Sequence, residues 1–115
     1  MREDVRAALG SDSRELFLLA LGHRLGVAAR GAFAEAGAVD VERARACNEM
    51  MICVWSQAWA TRAEAAGYPD ADFLSVLLEK ADVADARPFL REALESALLA
   101  VRTAERDDRP DDTRD

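Results

Sequence analysis

The chain has 115 residues, half of them hydrophobic, and a formal net charge of −7. That length fits a single domain with a core of its own, and the negative charge argues against a phosphate-backbone partner, whose affinity is drawn from Lys and Arg. Ala and Leu dominate, Val, Ile, Thr and aromatic residues are sparse, nothing alternates with period two, and no Asn-Gly or Asp-Gly hairpin turn occurs. The expected fold is therefore all-α: a small antiparallel helical bundle of four to five helices, two of them long.

Residues 3 to 9 are predicted to form a short helix that stops at Gly10. The next helix begins near Asp12, where Asp12-x-x-Glu15 has the form of a capping box, and runs to Ala36 before Gly37. Asp40 then caps a third helix, with Val39 placed to staple against Ala44. That helix is expected to end at Gly67, with Pro69 making the stop firm. A short helix covers about residues 71 to 81. The last begins after Asp85, carries Pro88 in its first turn, where proline is tolerated, and fades near Arg106. Residues 1–106 thus read as one helical-bundle domain. Residues 107–115 are charged and free of large apolar side chains, the pattern of an acidic disordered tail.

The start Met1-Arg2-Glu3-Asp4 lacks the basic flank and apolar stretch of a secretory signal. The apolar run Leu16–Leu21 is far shorter than the ~20 residues of a membrane span. Cys47 and Cys53 sit six residues apart on one predicted helix. Their axial separation of about 9 Å exceeds the roughly 7 Å that a disulfide tolerates between Cα atoms. Two free thiols point to a reducing cytoplasm. Lys80 is the only lysine, and this dominance of arginine reads as the codon bias of a GC-rich bacterial genome.

Helical wheels indicate how the rods pack. On the last helix Ala86, Phe89, Leu90, Ala93, Leu94, Ala97, Leu98 and Val101 share one face, and Leu99 alone stands on the polar side. The second helix has two apolar stripes: Leu18, Leu21, Leu25, Ala28 and Ala32 on one side, Leu16, Ala20, Val27 and Ala34 nearly opposite. Between them lie Gly22 and Gly26. Each costs about 1 kcal/mol in a helix interior, so both are assigned to close helix packing. The third helix carries Cys47, Met50, Met51, Ile52, Val54, Trp55, Ala58 and Trp59 on an arc of about 200° at helical spacing, too wide for one neighbour. A small chain with so much apolar helix surface is expected to cover part of it with a second copy, and the dimer is expected to be built on the second and third helices.

The stretch Ala46-Cys47-Asn48-Glu49-Met50-Met51-Ile52-Cys53-Val54-Trp55-Ser56-Gln57-Ala58-Trp59 concentrates the chemistry. Glu49 shares the polar side with Glu42 and Ser56 and reads as solvated. Asn48 falls within the apolar arc, where an amide needs a partner and can set a register. Met51, Trp55 and Trp59 line one side, as a pocket or, more in keeping with their spacing, as an interface; Asn48 belongs with them. Neither cysteine reads as a nucleophile.

His23-Arg24-Leu25-Gly26 resembles the histidine-phosphotransfer domain, in which a phosphorylatable histidine on a long bundle helix is followed by Lys-Gly at the third and fourth positions. Here glycine falls at the third position and the lysine is missing. The resemblance implies a phosphotransfer role for His23, which we rank below a packing or interface role. One His and two badly spaced Cys make no metal set, Glu49 is followed by Ile52 where a carboxylate-bridged site needs histidine, and no nucleotide or nucleophile motif occurs. No catalytic residue, metal or cofactor is therefore expected. The expectation is a non-enzymatic homodimeric interaction or regulatory module, with a second copy of itself and another protein as candidate partners and neither nucleic acid nor membrane among them; the alternative is a small-ligand-binding or phosphotransfer bundle.

Overall fold

A computed structural model describes residues 2–35, 41–64, 68–83 and 85–107. Five α-helices follow one another: α1 (Arg2–Leu9), α2 (Arg14–Glu35), α3 (Val41–Arg62), α4 (Asp70–Val83) and α5 (Arg87–Asp107). There is no strand among the described residues, and the all-α bundle expected from composition is the fold observed. Among the described residues no helix is long and apolar enough to cross a membrane.

The ends of α1 and α4 and the starts of α2 and α5 have local causes. α1 stops where Gly10 N–H bonds the Arg6 carbonyl at 3.0 Å. The turn into α2 is held by Ser11, whose hydroxyl donates to the Ala8 carbonyl (2.8 Å) and accepts from Ser13 N–H (3.1 Å). Ser13 then receives the first helical bond, from Phe17 N–H. The cap expected at Asp12 is thus displaced to this serine turn, and α2 begins at Arg14. α4 ends in a Schellman motif: Asp85 is left-handed, with φ of 52°, and Ala86 N–H reaches back to the Ala81 carbonyl at 2.7 Å. Ala86 in turn accepts the first bonds of α5, so one buried alanine ends one helix and starts the next.

The end of α3 differs from expectation. The helix stops at Arg62, not at Gly67, and Glu64 takes the left-handed conformation, with φ of 53°. The buried side chain of Gln57 is the reason. Its amide donates to the Tyr68 carbonyl (2.7 Å) and accepts from Tyr68 N–H (3.1 Å). A helix continued to Gly67 would carry Tyr68 about 16 Å along the axis from Gln57, so the chain must turn back early. Gly37, Val39, Asp40, Gly67 and the tail beyond Asp107 lie outside the described residues, as do the side chains of Ala32 and Ala34.

α2 is the central rod, packed against α3 on one side and α5 on the other. Glu15 meets Arg62, Gly22 meets Trp55 and Gly26 meets Met51, so positions rise along α2 as they fall along α3, and the pair is antiparallel. α4 packs on α3, and α1 closes the end formed by α2 and α5. The core gathers Val5 and Leu9, Phe17, Leu18, Leu21 and Leu25, Cys47, Met50 and Val54, Phe73 and Leu77, and the α5 stripe Leu90, Ala93, Ala97 and Val101. Burial of one such Leu or Phe side chain stabilises by about 1.5–3 kcal/mol. The second stripe of α2 is less enclosed: Leu16 is exposed, and Ala20 and Val27 are half-buried. Leu99 is exposed on the polar side of α5.

Candidate functional site

The broad apolar arc of α3 divides into two halves. Cys47, Met50, Val54 and Ala58 are buried in the subunit core. The other half faces outward: Ile52 exposes 53% of its surface, Trp55 41% and Trp59 66%. Leu19 of α2, 41% exposed, adjoins the indoles. The exposed residues of this half, Arg45, Asn48, Ile52, Trp55, Trp59 and Arg62, succeed one another at alternating steps of three and four. That spacing sets them along one seam of the helix surface.

α2 sets the depth of this surface. A Cβ added at Gly22 would lie 2.2 Å from Trp55 Nε1, and one at Gly26 would lie 3.0 Å from Met51 Sδ. The two glycines therefore let α3 side chains of the same subunit lie flat across α2. Met51 is half-buried by this arrangement, while Trp55 keeps its outer side open.

At one end of the surface Glu15 and Arg62 pair at 2.5 Å, and the Arg62 guanidinium stands 5.6 Å from the Trp59 ring centroid. With Leu19, Trp55 and Ala58 they enclose a cleft of about 90 Å³, space for a few waters at roughly 30 Å³ each. A larger apolar groove, about 390 Å³, runs between α4 and α5 beside Leu78, Leu90, Leu94 and Arg91; none of the sequence-derived candidates lines it.

Asn48 is exposed on the seam and is not enclosed by its own subunit. The buried amide is instead Gln57, and among the described residues no buried side-chain polar atom lacks a hydrogen-bond partner. His23 stands exposed on α2. Burial raises the Cys47 thiol above its ordinary pKa; it raises Cys53 too, with the charge of Lys80 opposing. Both thiols are free and protonated at neutral pH. Among the described residues no group of three or more His, Cys, Asp or Glu is placed to hold a metal ion.

The structure brings Met51, Trp55, Gly22 and Gly26 together and adds Asn48 and Trp59 along the same helix; His23 is on the neighbouring helix α2, exposed. Sequence reasoning missed Leu19, Glu15, Arg62 and Gln57. The first three were within reach of the short α2–α3 connection, since an antiparallel pair that sets Gly22 under Trp55 also sets Glu15 against Arg62. Gln57 follows Cys47, Met50 and Val54 at core spacing, a polar residue on a buried seam, and that was its signal. Compared with family models, with curated proteins and with solved structures, the chain matches none of them.

Proposed function

We propose that this protein is a non-enzymatic interaction module that acts as a homodimer, through the outward half of α3 and the adjoining edge of α2. The observation that carries the reading is the exposure of Ile52, Trp55, Trp59 and Leu19 on one continuous face. Large apolar and aromatic side chains grouped in this way mark association surfaces. The seam spacing supports a helix as the partner element, and the small open cleft beside Trp59 offers little volume to a metabolite, since ligand sites usually measure roughly 300–1,000 Å³. Free thiols at Cys47 and Cys53 support a reducing, cytoplasmic setting.

Light scattering across a dilution series tests the proposal. The expected result is a dimer at micromolar concentration that dissociates on dilution, with tryptophan emission moving to longer wavelength as the indoles return to water. A mass that stays monomeric up to about 100 μM, or roughly −5.5 kcal/mol of association at most, would overturn it. An acid-labile phosphate on His23, absent from His23→Gln, would put the phosphotransfer alternative in its place.

A further inference from the structure

The seam of α3 has a definite length and an uneven distribution of bulk, and both restrict how a second copy can lie on it. Its six exposed positions begin at Arg45, four residues after Val41, and end at Arg62, the last residue of the helix. The large rings, Trp55 and Trp59, occupy one half, and the smaller Asn48 and Ile52 the other. A parallel pairing sets each residue against itself. It would place two Trp55 rings in one layer and two Trp59 rings in the next, and it would leave Asn48 facing only Asn48. An antiparallel pairing sets the heavy half against the light half.

Resting on the homodimer reading, we infer that the partner is a second copy whose α3 lies antiparallel on this seam, with the dyad passing between Ile52 and Trp55. In that register Trp55 packs on Ile52 of the partner subunit, and Trp59 on Asn48 of the partner subunit. The Asn48 amide then lies on an indole face, where its N–H groups can point into the ring. A slip of one heptad in one direction sets Trp59 against Val41 and carries Arg62 past the start of α3. A slip in the other carries Asn48 past Arg62. Only the central register keeps all six positions opposite one another.

The charges allow a second copy on this face in either orientation. Arg45 at one end of the seam comes beside the partner's Arg62, but each brings a carboxylate: Glu42 lies 3.9 Å from Arg45, and Glu15 lies 2.5 Å from Arg62. Each end of the interface therefore holds two arginines and two glutamates and carries no net charge. In a chain of net charge −7, this face is one where two copies meet without the repulsion of their acidic surfaces.

Short-span bismaleimide cross-linking decides the register. Single cysteines are placed at the exposed positions Ile52→Cys and Arg45→Cys, in a Cys53→Ser background that leaves Cys47 buried. In the inferred dimer the two Ile52 positions are offset by only about 4–5 Å along the axis and the two Arg45 positions by about 25 Å. Ile52→Cys is expected to give covalent dimers and Arg45→Cys none. Linkage at both positions means a parallel pair and overturns the inference. Linkage at neither, with light scattering still reporting a dimer, overturns the register and leaves the homodimer on another face. A monomer in the unsubstituted protein overturns both. Because both sites are exposed, neither substitution disturbs the core, and circular dichroism of each variant checks that the helices are intact.

Discussion

Gln57 occupies a core position of α3 with 3% of its surface exposed, and both ends of its amide are bonded to the backbone of Tyr68. Those two bonds replace the helical partners that Tyr68 gives up when α3 stops at Arg62. Gln57→Ala would leave the Tyr68 N–H and carbonyl unpaired in a half-enclosed place, and the expected loss is about 1–3 kcal/mol, read from urea denaturation. Glu in place of Gln57 keeps the acceptor but sets a carboxylate against the Tyr68 carbonyl, so it should not rescue. Cys47 makes a different prediction. Burial holds its thiol above the ordinary value of 9.0 in the folded chain. The folded state thus favours the protonated form: this contribution is fully present below the unfolded pKa and is lost as pH rises from about 9 through the folded pKa. Stability should fall in that window. Cys47→Ala should lower stability at pH 7 through the lost packing and flatten the fall above pH 9, both measured by thermal unfolding across pH.

At the scale of the helices, the α2–α3 pair depends on the absence of two side chains. Alanine at Gly22 would gain about 1 kcal/mol of helix propensity, yet its Cβ would stand 2.2 Å from the Trp55 indole. Trp55 is open on its outer side and can swing away, so Gly22→Ala should alter monomer stability little. It should shift tryptophan emission and weaken dimerisation, because the displaced ring no longer lies in the seam. At Gly26 the nearest atom is the flexible end of Met51, at 3.0 Å, and a single methyl should be accommodated. Leucine there is another matter: it would push Met51 out of the subunit's own packing. The surface ion pairs that accompany these contacts, such as Arg24–Glu92 at 2.7 Å, are exposed and each adds no more than about 1 kcal/mol.

For the molecule as a whole, the core is closed by five helices while one face of α3 stays open. Aromatic anchors at the centre of an interface commonly cost about 2 kcal/mol or more when truncated. Trp59→Ala, the more exposed indole, should therefore raise the dimer dissociation constant at least 30-fold while leaving monomer unfolding near that of the parent, since Trp59 adds little to the subunit core. Sedimentation velocity and urea denaturation of the dilute protein separate the two effects. Leu99→Ala, on the opposite kind of surface, should leave both unchanged.

The residue pattern alone determined the all-α class, the order of the helices and most of their starts, because the apolar spacing and the Gly and Pro breaks act over a few residues. It also marked Gly22 and Gly26, Trp55 and Trp59, since each is out of place in an ordinary amphipathic helix. What it left undecided depended on which surfaces meet. The wheel of α3 showed an arc too wide for one neighbour but not where the core boundary falls within it. Only the packing of α2, α3 and α4 buried Cys47, Met50 and Val54 and left Ile52 and the indoles outside. Asn48 falls within the apolar arc on the wheel, yet its own subunit leaves it exposed; the amide buried within the subunit is Gln57, whose partner lies eleven residues away across a turn. The α3 terminus moved from Gly67 to Arg62 for the same reason: the bond that ends the helix joins residues no local window contains.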